Sequence, residues 1–184
     1  MKMLPAIEGG TPVRSEYIPY GKQYIDNDDV QAVNEVLLSP YLTTGPRVQE
    51  FEEKLCELTG AKYAVVISNG TSALHAACYA AGITTGDEVI TTPITFAASA
   101  NCILYCGGTP VFADINPDTW NIDPIDIERK VTNKTKAVIA VDFTGQAVQL
   151  DEIRAICNKY NLILIEDAAH SIGTKYKGIP VGNI

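Results

Sequence analysis

Short apolar runs recur along this chain at residues 63–67, 88–92, 110–114, 136–141 and 162–166, roughly 25 residues apart. That interval holds one strand and one crossover helix. The stretches between the runs have helical composition, as at 72–81 and 149–160, and the runs are continuously apolar rather than alternating. Strands buried on both faces read this way. The pattern predicts an α/β fold of three layers, a mainly parallel sheet with helices on both faces. Upstream, Asp26 can cap a helix whose apolar face is Val30, Val33, Val36 and Leu37, ending before Ser39-Pro40. A loop at 41–46 leads to a second helix at 48–59, stopped by Gly60. Residues 1–25 carry Pro5, Pro12 and Pro19 with three glycines and no sustained periodicity. The expected organisation is an extended arm at 1–25 and one large domain over 26–184.

With 184 residues and 46% hydrophobic side chains, the chain can bury a core of one domain or most of one. A net charge of −8 argues against nucleic acid as a partner, because phosphate backbones are bound by clustered Lys and Arg. A small-molecule ligand is expected instead. Residues 1–10 carry no charged-then-apolar leader and no apolar run approaches a membrane span, so a soluble, unexported, cytoplasmic protein without membrane partners is expected. The five cysteines, Cys56, Cys78, Cys102, Cys106 and Cys157, form no CxxC pair and read as buried free thiols rather than metal ligands or disulfides. No metal is expected.

The chemistry sits where the apolar runs end. In parallel sheets ligands bind beyond the carboxyl ends of the strands, and the polar clusters at 68–72, 93–96, 142–146 and 167–171 all follow predicted strands. Ser68-Asn69-Gly70-Thr71-Ser72-Ala73-Leu74 opens a helix pattern. Gly70 lets backbone approach a ligand, and Thr71 and Ser72 set hydroxyls beside free helix-start amides, where the helix dipole favours an anion. The same hydroxyls could simply cap the helix. A dinucleotide site would need three glycines and an acid at the end of the second strand. Only Gly70 is present and Thr91-Thr92 occupy that end, so a monophosphate fits better.

Glu166-Asp167 close the last apolar run, with His170 three positions on. A carboxylate on a pyridine nitrogen keeps the ring protonated, and together with the phosphate turn Asp167 points to pyridoxal 5'-phosphate. Asp167 could instead cap the next segment or bind a metal with Glu166. Phe96 could stack on the flat ring or belong to the core. Asp142 and Gln146 could offer polar contacts or shape a turn, and His75 reads as structural.

These residues together resemble the sugar aminotransferase family called DegT/DnrJ/EryC1/StrS, pyridoxal phosphate enzymes of fold type I. The resemblance is carried by Leu42-Thr43-Thr44-Gly45-Pro46 with Glu50-Phe51-Glu52, then Ser68-Asn69-Gly70-Thr71-Ser72-Ala73-Leu74. It continues through Asp87-Glu88-Val89-Ile90-Thr91-Thr92-Pro93, Phe96-Ala97-Ala98-Ser99-Ala100-Asn101 and Ile165-Glu166-Asp167-Ala168-Ala169-His170. It implies that Thr71 and Ser72 hold the cofactor phosphate, Phe96 stacks on the ring, Asp167 pairs with its nitrogen and His170 lies beside it. Tyr20, Pro40, Tyr41, Leu42, Thr43 and Gly70 would contact a nucleotide-sugar. Thr92-Pro93-Ile94-Thr95-Phe96 and Val141-Asp142-Phe143-Thr144-Gly145-Gln146 are most similar to the branch of pseudaminic acid synthesis. That branch aminates C4 of a UDP-linked 4-keto-6-deoxy-N-acetylhexosamine with glutamate as donor.

The family also implies a homodimer, and it implies a Schiff-base lysine in a Ser-Phe-His-x-x-Lys stretch. By alignment that stretch is expected beyond Ile184, as is a small C-terminal domain; Lys175 and Lys177 stand too close to Asp167 to take the role. The chain is therefore expected to be the truncated N-terminal part of such an enzyme, inactive by itself. Another nucleotide-4-ketosugar aminotransferase, a lysine-less sugar dehydratase and a non-catalytic ligand-binding module are the alternatives.

Overall fold

Four short strands carry apolar side chains on both sides, and that decides the architecture. In the computed structural model β1 (Glu88–Thr91), β2 (Thr109–Phe112), β3 (Thr135–Val141) and β4 (Ile163–Asp167) form one sheet in the order β2-β1-β3-β4. Every pairing is parallel. Successive residues of a strand face opposite sides. Ile90, Val138 and Ala140 pack with Ile127 of α5 (Pro124–Lys130) and with Leu150, Ile153 and Cys157 of α6 (Leu150–Tyr160). Val89, Ala137 and Ile139 pack on the other side, with Cys78 of α3 (Gly70–Ala80) and Cys102 and Ile103 of α4 (Ala98–Tyr105). The expected layers, helix, parallel sheet and helix, are present.

The structure describes residues 4–19 and 21–183, and the chain divides into two compact units, Met1–Gly45 and Pro46–Ile184. In the first unit, α1 (Asn27–Leu38) opens at the expected cap. Asp26 accepts from the amides of Asp28 and Asp29, and Asp29 accepts from the Asp26 amide at 3.0 Å, a reciprocal capping box. Tyr20 lies outside the described residues.

In the second unit α2 (Pro46–Thr59) ends at Gly60, whose φ of +78° marks a left-handed stop. One expected strand is not formed. Residues 63–67 have no regular secondary structure and join no ladder among the described residues, and Tyr63 and Val65 are 76% and 77% exposed. The segment is held instead by α2, where Glu52 accepts from the Val66 amide at 2.9 Å. A strand requires a neighbour to take its backbone groups, and an apolar run does not supply one. Beyond β4, β5 (Lys175–Tyr176) and β6 (Ile179–Pro180) form a hairpin through Lys177 and Gly178, with φ of +48° and +88°. Two successive positive φ values are the signature of a tight two-residue hairpin turn.

Candidate cofactor site at the carboxyl edge of the sheet

The loops after β1, β3 and β4 enclose a cavity of about 380 Å³, within the size range of small-molecule sites. Its walls include Thr95 and Phe96 after β1, Asp142 and Phe143 after β3, and Asp167, Ala169 and His170 after β4. Phe96 is 76% exposed, which a core residue would not be, and its ring forms a wall of the cavity. His170 is also exposed.

Asp167 is buried and held from one side. It lies on the same strand face as Ile165, which packs on the α3 and α4 layer. There Ser99 donates through Oγ to Asp167 Oδ2 at 2.8 Å, while the Ala169 amide reaches Oδ1 only at 3.4 Å. Thr95 Oγ1 lies 2.9 Å from Ser99 Oγ.

Asp142 follows β3 and organises the neighbouring loop. It accepts from the Val148 amide at 2.9 Å and from Ser171 Oγ at 2.6 Å, and its own amide donates to the Asp167 carbonyl. Burial pushes its carboxyl above the ordinary value, the two hydrogen bonds oppose that, and the charge of Asp167 adds to it. Glu166 faces the opposite layer, where burial likewise raises its carboxyl. Its Oε2 accepts from the Gly182 amide and its buried Oε1 has no partner among the described residues. No group of three or more His, Cys, Asp or Glu side chains is placed to hold a metal ion among the described residues.

The turn before α3 excludes one of the two readings of its hydroxyls. Neither Thr71 nor Ser72 caps the helix; Asn69 does, accepting from the Ser72 amide at 2.8 Å. The hydroxyls are not needed for the cap. The Ala73 amide bonds the Asn69 carbonyl, which leaves the Gly70 and Thr71 amides without a protein acceptor among the described residues. A Cβ built on Gly70 would meet nothing within 4 Å, so open space lies before this helix start. The C-terminal end of α3 lies at the amino ends of the strands, where Lys136 Nζ at the start of β3 donates to the Gly82 carbonyl. Gly70, Thr71 and Ser72 do not line the cavity itself.

Several residues the sequence reading gave no role to hold this site together. Asn121, 3% exposed, accepts from the Phe143 amide and donates to the Gln146 and Ala147 carbonyls. Ser99, Thr95 and Ser171 act across 68, 4 and 29 positions of sequence separation. No local pattern announces the two distant partners. Gln146 is exposed and contributes its carbonyl rather than its side chain, and His75 stacks edge-on against Tyr105. Pro40, Tyr41, Leu42 and Thr43 belong to the first unit and are exposed there.

These observations fit pyridoxal phosphate. A buried carboxylate with one lightly bonded oxygen, an aromatic wall and unclaimed amides at a helix start match a protonated heteroaromatic ring and a phosphate. The parallel sheet flanked by helices is that of the fold type I pyridoxal phosphate-dependent aminotransferases. More narrowly, the chain belongs to the DegT/DnrJ/EryC1/StrS aminotransferase family, whose model matches residues 23–184. It is 46% identical over 171 residues to the spore coat polysaccharide biosynthesis protein SpsC of Bacillus subtilis, covering 93% of this chain and 44% of that protein. It superposes with a TM-score of 0.86 at 39% identity on Helicobacter pylori PseC, an aminotransferase involved in the biosynthesis of pseudoaminic acid, over 91% of this chain and 45% of that one. The PLP-form of the putative sugar aminotransferase Spr1654 from Streptococcus pneumoniae matches with a TM-score of 0.85 at 30% identity, over 90% of this chain and 46% of that one. The chain thus spans less than half the length of these relatives. Pyridoxal phosphate is the cofactor of the family to which it belongs.

Proposed function

We propose that this chain is the cofactor-binding part of an aminotransferase that moves an amino group from glutamate to C4 of a UDP-linked 4-keto-6-deoxy-N-acetylhexosamine. The supporting observation is the buried Asp167 at the end of β4, lining the same cavity as the exposed ring of Phe96. The bound cofactor supplies an electron sink for the amino transfer. Asp167 accepts the ring N–H, Phe96 covers one ring face, and His170 lies beside it. The free amides of Gly70 and Thr71, with the hydroxyls of Thr71 and Ser72, take the phosphate at the positive end of α3. Within the second unit, Gly70 contacts the nucleotide-sugar as well. The intact enzyme is a cytoplasmic homodimer, and the cofactor-holding lysine and a small domain lie outside residues 1–184. Support for that last point comes from the candidates inside. Lys177 is bound to Asp151 at 2.5 Å on the β5–β6 turn, and neither it nor Lys175 lines the cavity.

The resemblance to SpsC and PseC favours the amino-sugar substrate over a dehydratase reaction. The test is to supply the intact polypeptide with glutamate and a panel of nucleotide-4-ketosugars, following 2-oxoglutarate release and the mass of the sugar product. Amination of the UDP-linked N-acetyl substrate above the others supports the assignment; 2-oxoglutarate released only with a different ketosugar overturns the substrate, and loss of C–O without amine gain overturns the reaction. Residues 1–184 alone should release no 2-oxoglutarate under the same conditions.

A further inference from the structure

We propose that Ser99, with Thr95 behind it, is a positioning residue that sets the rotation of the Asp167 carboxylate and thereby fixes which oxygen meets the ring nitrogen; this rests on the role given to Asp167 above. Ser99 is fully buried on the first turn of α4, one turn before Cys102 and Ile103 of the apolar layer. A hydroxyl in that setting is costly unless bonded. Serines inside helices commonly return their proton to the carbonyl three or four residues earlier. Ser99 instead sends it across to the end of β4, to Asp167 Oδ2 at 2.8 Å.

The direction of the chain follows from counting protons. A hydroxyl carries one proton, and a carboxylate is acceptor-only. Since Ser99 donates to Asp167, its oxygen can only accept in the 2.9 Å contact with Thr95, so Thr95 donates. The order Thr95 to Ser99 to Asp167 engages Oδ2 in a short bond. Oδ1, reached only at 3.4 Å by the Ala169 amide, is the less engaged oxygen. Without Ser99 the carboxylate can turn about its last torsion, which is soft and nearly two-fold, and either oxygen can leave the ring. Thr95 and Phe96 leave β1 together and both line the cavity. The loop that supplies the aromatic wall therefore also anchors the carboxylate on the ring edge.

The test uses the intact chain with pyridoxal phosphate labelled with ¹⁵N in its ring, measuring the dissociation constant and the ¹⁵N shift of the bound ring, which reports its protonation. Ser99→Ala is expected to weaken binding about tenfold, the worth of one charge-assisted hydrogen bond, and to move the shift toward that of neutral pyridine. Ser99→Thr should restore both, and Thr95→Val, which preserves volume and leaves Ser99 in place, should move the shift the same way by less. A Ser99→Ala protein with the parental shift overturns the proposal, as does loss of the signal in Ser99→Ala and Ser99→Thr alike. If Ser99→Ala fails to fold, an unmoved shift in Thr95→Val overturns it. Asp167→Asn separates the two levels. If that variant leaves the shift untouched, the assignment of Asp167 is wrong and the role of Ser99 goes with it; if it moves the shift while Ser99→Ala does not, only the role of Ser99 is wrong.

Discussion

At Glu166 and Asp167, adjacent residues of one strand face opposite layers and meet opposite fates. Asp167 opens to a cavity with a hydroxyl partner, whereas Glu166 is packed against the other layer with Oε1 unpartnered among the described residues. Burial raises the Glu166 carboxyl above its ordinary 4.5. The folded state therefore binds this proton more tightly than the unfolded chain does. The contribution is fully present below 4.5 and is lost as pH rises from there through the folded value. Glu166→Gln has no such proton, so the difference between its melting curve and the parent's should widen in favour of the variant as pH rises from 4.5. Thermal melts at stepped pH check this; a constant difference would refute it. Among the thiols, burial pushes Cys157 up to about 11, and Cys78 and Cys102 are buried in contact at 3.5 Å. Iodoacetamide near neutral pH should modify Cys56 and Cys106 first and leave the other three until the chain unfolds, as read by mass spectrometry. All five are free thiols, as their spacing suggested, though two are only partly buried.

At the scale of elements, the loop after β3 carries the precision of the cavity wall. Asn121 clips it at three backbone positions, and Gly145 passes it against the loop after β4 with φ +90°, where a Cβ would come within 2.9 Å of the His170 carbonyl. Asn121→Ala strands those backbone groups and should cost about 3 kcal/mol in urea denaturation. Gly145→Ala should cost about 2 kcal/mol, through left-handed strain and the close contact together. Both should weaken pyridoxal phosphate binding, because they displace Phe143 and His170 rather than the core. Neither effect could be read from the run Val141-Asp142-Phe143-Thr144-Gly145-Gln146, where Asp142 and Gln146 could offer polar contacts or shape a turn; Asn121, twenty-five residues before Gln146, is the residue that binds the Gln146 carbonyl. Caps were legible when the motif was local. Asp26 opens α1 as expected, but before α3 the cap moved from the hydroxyls to Asn69. Thr71 and Ser72 are thereby left for other work.

At the scale of the molecule, one apolar segment has no ladder. In residues 1–184, the amides of 63–67 should exchange with solvent far faster than those of Ile90, Val138 and Ile139, which sit in the central strands with no side-chain exposure. Protection of 63–67 comparable to β3 would mean that a strand partner is supplied. Periodicity and composition were enough to determine the layers, because burial on two faces is written into each strand residue by residue. Local motifs drew attention to Asp167 and Phe96, which line one cavity, and to the turn at 68–72, which does not line it. Tertiary structure alone decided which strands exist and which hydroxyl holds which carboxylate. Ladder partners and the hydroxyl donors to Asp142 and Asp167 come from parts of the chain far apart in sequence, and a hydrogen bond is a property of two positions at once.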